Sequence, residues 1–238
     1  MADAVDIEDD WTEDDPCDPD YDGDDSDDSE DTCRQKRLAF LTILARIALA
    51  AIVVKFLQGT QTGAVTEVGF RQYLAGAHAK AAMLGRQKAG DTTGLSTADL
   101  LLGEQIADNE GKYLNRFIED LQNGRYTEDE AGALRRAHMY TDLLRGTSNR
   151  AFVTASKPDD MFQWILGANE NHCDDDDGLD CPSIAVGGAN GDGLYPASEL
   201  PTTPGEGDTP CLGNCECELE REDGVVGFAR IGTEDESE

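Results

Sequence analysis

The stretch from Trp164 to Leu219 constrains this chain more than any other. It reads WILGANENHCDDDDGLDCPSIAVGGANGDGLYPASELPTTPGEGDTPCLGNCECEL and holds five of the seven cysteines and one of the three histidines. Glycine and proline recur throughout it, so it has little room for regular helix or strand and cannot rely on an ordinary apolar core. Five sulfurs in one irregular stretch point instead to a metal or disulfide staple.

The candidate ligands fall into two clusters. His172 and Cys173 are adjacent and Cys181 follows, while Cys211, Cys215 and Cys217 form a C-x3-C-x-C after a Pro/Gly-rich loop. Zinc takes four soft or borderline ligands in a tetrahedron, and two short clusters joined by a loop supply them without a core. The expected set is Cys173, Cys181, Cys211 and one of Cys215 and Cys217, with His172 in reserve. Disulfides between the same residues are the alternative in an oxidising compartment, and reduced thiols are a third. Asp174 to Asp177 with Asp180 offer carboxylates for calcium, against the simpler reading of a solvated acidic loop.

Charge sets the next bound. Fifty acidic residues against nineteen basic give a formal net charge of -31, which argues against a general nucleic-acid binder because phosphate contacts need cations. Residues 1 to 31 carry 17 of the acids and no Lys or Arg, so this segment is expected to be a disordered tail. The remainder still carries a net charge of -14, and Arg outnumbers Lys 13 to 6. That balance suits a high-salt cytoplasm, where carboxylates keep surfaces hydrated and salt screens their repulsion, and it equally suits an acidic tail on an ordinary acidic domain.

Composition then turns over abruptly. After RQKR at 34 to 37, residues 38 to 57 (LAFLTILARIALAAIVVKFL) are almost continuously apolar and long enough to span a bilayer as a helix. Arg46 near the middle and Lys55 near the end oppose that reading, since a central Arg costs roughly 2.5 to 3.5 kcal/mol on insertion scales. The favoured expectation is a helix buried between subunits, with Arg46 paired to an acid.

Residues 58 to 65 read as a loop. Beyond it, Phe70, Leu74, Ala77, Ala81 and Leu84 recur at helical spacing and predict a helix ending near Gly85 or Gly90. Ser96 with Asp99 forms a capping-box-like start for a helix carrying Ile106, Tyr113, Leu114, Phe117 and Leu121 as far as Asn123. Thr127 with Glu130 opens a third by the same device, with Leu134, Ala137, Thr141 and Leu144 on one face and Gly146 at its end. Tyr113, Phe117, Met139 and Tyr140 are expected in the core, and His78 and His138 read as structural. Residues 146 to 160 are expected to connect this bundle to the cysteine region.

The fold class is therefore mainly α: a helical bundle or hairpin with an irregular Cys-rich C-terminal module and a disordered acidic N-terminal tail. The divisions are an acidic tail at 1–33, an apolar helix at 34–58, a helical region at 59–146, a Cys/His-rich module at 147–221 and a second acidic tail at 222–238. There is no G-x-S-x-G, P-loop or H-E-x-x-H, and the three histidines lie in separate segments, so no enzyme is expected.

Several segments taken in order resemble the head morphogenesis, or Mu F-like minor head, proteins of tailed phages. They are YLNRFIEDLQNGRYTEDEA, the helix containing RRAHMY, WILGANENHC, and ELPTTPGEGDTPCLGNCECEL. The last is the specific one, and Leu200, Pro201, Pro204, Gly205, Gly207, Cys211, Asn214, Cys215 and Cys217 fit it. The resemblance runs from Gly69 to Leu219. It implies a minor component of the virion head, assembled in the host cytoplasm, oligomeric in the particle, with the portal or major capsid protein as partner and packaged DNA within reach. Two departures accompany it: DDDDGLD separates Cys173 from Cys181 where the family's pair is close, and Glu216 stands where a basic residue is common. A membrane-anchored protein with Leu38 to Leu57 as its span is the alternative.

Overall fold

The computed structural model describes residues 30–60, 62–167, 180–189, 191–206 and 215–229. Among these the chain is mainly helical, with α1 Glu30–Leu57, α2 Gly63–Lys88, α3 Thr97–Asn109, α4 Gly111–Gln122, α5 Glu130–His138, α6 Leu144–Ala155 and the short α7 Cys181–Ala185. Three short strands, β1 Met161–Ile165, β2 Leu194–Pro196 and β3 Glu218–Arg221, form an antiparallel sheet in the order β2-β1-β3.

The long apolar run folds into α1, and it is a bundle helix on one face only. Leu38, Leu41, Ala45, Leu49 and Val53, at spacings of three and four, are all buried. Arg46 finds the expected acid within the same chain, as its guanidinium lies 2.9 Å from Asp142 and also donates to the Thr141 hydroxyl.

Helix α2 is the axis of the body and packs against α1, α3, α4 and α6. Its predicted stripe of Phe70, Leu74, Ala77, Ala81 and Leu84 is buried throughout. The helix starts earlier than the periodicity indicated, at Gly63 behind an N-cap at Thr62, so the expected loop ends four residues sooner. Gly63 faces the Gln122 side chain, and a Cβ there would overlap it. Phe70, Phe117, Tyr126 and Tyr140 meet edge-on in one core cluster with Leu49, Leu74, Leu114 and Leu121.

The Ser96 and Asp99 capping box forms with both reciprocal bonds, and Asp99 additionally receives Arg86 at 2.7 Å. The helix it opens is broken at Glu110 into α3 and α4. Gly103 lets α3 lie directly on α2, because a Cβ at that position would sit 2.2 Å from the Ala75 carbonyl oxygen. After the break, α4 presents Leu114, Phe117, Ile118 and Leu121 to the core.

Further expectations are corrected. Asp129, not Thr127, caps α5, accepting from the Gly132 amide, while the Thr127 hydroxyl turns back to the Gly124 carbonyl. Tyr113 and Met139 lie half exposed rather than in the core. The expected third helix also stops at His138, where the Thr141 amide and hydroxyl both bond the His138 carbonyl. The chain then resumes as α6, straight through Gly146 and the predicted connector. The segment after β3 also departs from a free acidic tail, since Phe228 is buried with Leu38, Leu84 and Leu144.

Candidate metal centre

Three short pieces of chain converge with Phe152 and Val153 of α6 to make the site. Strand β1 sits at the centre of the sheet and turns Phe162 and Trp164 inward. Strand β3 pairs with it in a register that sets Leu219 opposite Trp164 and places the preceding Cys217 and Cys215 at the strand's entrance. Helix α7 brings Cys181 at its first residue, held by the Asp180 N-cap, whose carboxylate accepts from the Ser183 amide and hydroxyl. Asp180 is therefore committed to capping, not to a calcium site. The remaining carboxylates of that reading, Asp174 to Asp177, lie outside the described residues.

Cys181, Cys215 and Cys217 are each 1% exposed, and their sulfurs lie within 4.8 Å of one another. The Cys181 and Cys215 sulfurs are 3.5 Å apart. Zinc–sulfur bonds near 2.3 Å in a tetrahedron place sulfurs about 3.8 Å apart, so this spacing fits a metal ion held by three thiolates. Phe152, Phe162, Trp164, Ile184 and Leu219 wall the trio off from water. The structure thus brings together three of the six candidate ligands, from segments 34 residues apart, and includes both Cys215 and Cys217 where only one of them was expected. His172, Cys173 and Cys211 lie outside the described residues.

Hydrogen bonding within the trio favours one thiolate at Cys217. Bonds from Cys181 and then Cys215 draw its pKa well below the ordinary thiol range, against the opposing effect of burial, with the Gly167 amide and Trp164 indole assisting. At Cys215 the Cys181 contact pulls the same way, but bonding to Cys217 and burial outweigh it and push that thiol up to about 12. The two titrate as a pair. Trp164 contributes a buried indole N–H that has no hydrogen-bond partner in this cluster, and an anionic sulfur drawn closer would be its acceptor.

Arg145, 5% exposed, is the element that sequence reasoning missed. From α6 its guanidinium donates to the carbonyls of Cys215 and Cys217, and its Nε to the Phe228 carbonyl at 2.8 Å. One planar fork thus fixes the backbone of two of the clustered cysteines.

The rest of this α6 face continues the same work. Asn149 donates to the Pro204 carbonyl at 3.0 Å and accepts from the Phe228 amide at 2.7 Å, while Thr203 bonds the Gly146 carbonyl. Glu206 closes the turn by accepting from the Thr203 amide and pairing with Arg150 at 2.5 Å. Gly205, at φ +82°, faces Gly146, and a Cβ on Gly146 would come within 2.1 Å of the Gly205 carbonyl oxygen. The LPTTPGE segment at 200 to 206 is thereby docked on the helical body. The sequence signal was present as a dense polar run, RGTSNR at 145 to 150, inside an otherwise helical stretch.

Comparison with protein families, with curated proteins and with solved structures finds no match to this chain.

Proposed function

We propose that this chain is a structural minor head protein of a tailed virus or provirus, whose C-terminal module is stapled by zinc and held on a helical body. The observation that carries the reading is the docking of one segment. Leu200 to Gly205 and Cys215 to Leu219, the described part of the run that resembles the Mu F-like minor head proteins, seat on α6 and close the cysteine trio. A module fixed in this way presents a rigid surface, as a chain that works through contacts to a portal or major capsid protein requires. The metal supplies no reaction in this reading, only fold stability, since a structural zinc replaces the core that such a stretch cannot build. Its fourth ligand is drawn from His172, Cys173 and Cys211.

The acidic tail at 1 to 31 serves, in the same reading, as a packing mimic of DNA on a basic partner. The test is composition of purified particles. The chain should copurify with DNA-filled heads, stay soluble when made without lipid, and lose incorporation when residues 1 to 31 are deleted. Particles that lack it altogether would overturn the head reading, and unchanged incorporation of the deletion would overturn the role of the tail.

A membrane-anchored protein is the second reading. Thr32–Leu57 is long and apolar enough to cross a bilayer by length and composition, and Ile43, Leu44 and Ile47 are exposed. Insertion would strip Leu38, Leu41, Leu49 and Val53 from two core clusters and carry Arg46 into lipid. A requirement for detergent during purification would favour it.

A further inference from the structure

Trp164 carries the orphan donor of the cysteine cluster. The residue is 2% exposed, and its indole N–H has no hydrogen-bond partner. The other buried members of the cluster are hydrocarbon side chains, among them Phe152, Phe162, Ile184 and Leu219, and the sulfurs of Cys181, Cys215 and Cys217. Burying a donor without an acceptor costs free energy that a phenylalanine at the same place would not incur. The indole therefore marks an acceptor that comes with the occupied site, and the sulfurs are the groups within the cluster able to become one.

The sheet holds Trp164 from both sides. Its amide donates to the Gly193 carbonyl at 2.9 Å, and across β1 and β3 it stands opposite Leu219. Just past the end of β1, Gly167 lies against the backbone between the two neighbouring cysteines, where a Cβ would sit 2.5 Å from the Glu216 carbonyl oxygen. The Gly167 amide and the Trp164 indole both favour the anionic form of Cys217. A thiol sulfur is a weak acceptor and an ionised one a strong acceptor, so these two N–H groups gain their partner when the site is charged.

We propose that Trp164 and Gly167 are positioning residues of the metal centre, their indole and backbone N–H groups closing on the Cys217 sulfur when it becomes a metal-bound thiolate. This role rests on the metal reading of the trio and names what orients one of its sulfurs. Donors outside the ligand set fix the direction of a ligand and stabilise its charge, and losing one costs about 10- to 100-fold in metal affinity. Cys217 is then held twice, at its sulfur by the end of β1 and at its carbonyl by Arg145 of α6. The short step from Trp164 to Gly167 lets one segment supply both donors, a side-chain N–H from within the sheet and a backbone N–H from just beyond it. The role is independent of whether the chain assembles into a head.

Cobalt(II) loaded into the full chain in place of zinc reads the contact directly. Hydrogen bonding stabilises the sulfur electrons and so raises the energy of the sulfur-to-cobalt charge-transfer band. Trp164→Phe, which keeps an aromatic ring and removes the donor, should move that band to longer wavelength and weaken zinc by about 10- to 100-fold in competition with a chelator. Gly167→Ala, forced away from Glu216, should move the band the same way. Phe162→Leu alters the same wall and removes no donor, so it should leave the band in place. If Trp164→Phe loses its helical circular dichroism, benzothienylalanine at the same position keeps the bicyclic shape without the N–H and should give the same shift. A chain that binds cobalt with the band unmoved in either donor variant would overturn the proposal and leave the metal reading standing. A wild-type chain that binds neither cobalt nor zinc would overturn both.

Discussion

Replacing Arg145 by Met separates the two halves of this protein most cleanly. The substitution keeps much of the side chain's length and apolar contact but removes a guanidinium that serves the Cys215, Cys217 and Phe228 carbonyls. Hydrogen bonds to a charged group contribute about 1.5 to 3 kcal/mol each, and a buried carbonyl left unsatisfied costs about 1 to 3 kcal/mol. Three such bonds do not add independently, and removing the cation also relieves its desolvation. The net loss expected is about 3 to 5 kcal/mol. It falls on the docking of the module and not on the α1 to α5 core, whose clustered residues Leu49, Phe70, Phe117 and Tyr140 do not include Arg145.

Urea unfolding followed by two probes reads this division. Far-ultraviolet circular dichroism reports the helices, and the fluorescence of Trp164, with Trp11 replaced by Phe, reports the module. Arg145→Met should move the fluorescence transition to much lower urea and leave most of the helical transition in place. A shift under about 1 kcal/mol, or an equal loss on both probes, would refute the assignment of Arg145 as the clamp between body and module.

Other predictions follow from single contacts. Gly146→Ala brings a Cβ to 2.1 Å from the Gly205 carbonyl oxygen and should destabilise the module by about 1 to 3 kcal/mol, whereas Gly94→Ala, with nothing within 4 Å, should not; the same urea experiment checks both. His78 is buried against the Thr147 hydroxyl at 2.7 Å, and burial lowers its pKa from 6.5 to about 4. The unfolded chain therefore binds the proton first. Stability is full above the unfolded value near 6.5, falls as pH drops through the window down to about 4, and loses at most about 3 kcal/mol there. His78→Gln should flatten that slope in thermal melts, and an unchanged slope would assign it to other groups. With a net charge of -31, the melting temperature of wild type should rise between low and molar salt as repulsion is screened, and a flat response would count against a high-salt setting.

Much of the helical body was legible because its burial follows apolar periodicity. Phe70, Leu74, Ala77, Ala81 and Leu84 occupy the face their spacing assigned, and Ser96 with Asp99 forms the box its residue types encoded. That cysteines of the two clusters meet was legible from cysteine density, but the pairing of both Cys215 and Cys217 with Cys181 was not. Nor was the clamp. Helix α6 buries Arg145, Thr147, Ser148 and Asn149 between Leu144 and Phe152, so the first half of its inward face is polar and periodicity in hydrophobic residues cannot see it. These side chains bond backbone carbonyls from remote segments, as with Ser148 to Ala81 and Asn149 to Pro204, and no local pattern announces such partners. Phe228 was hidden for a related reason, as a single aromatic near an acidic end whose pocket is built by Leu38, Leu84 and Leu144 from far away in the chain.

The metal staple is the claim on which the reading of the module rests, and native mass spectrometry of the purified full chain tests it most directly. The chain would be measured before and after a chelator, with thiols counted on the denatured protein. One zinc per chain with seven titratable thiols, lost in Cys215→Ser while the helical signal persists, is the predicted result. A chain that binds no metal and shows fewer free thiols would contradict it, and would assign the contact between the Cys181 and Cys215 sulfurs to a disulfide.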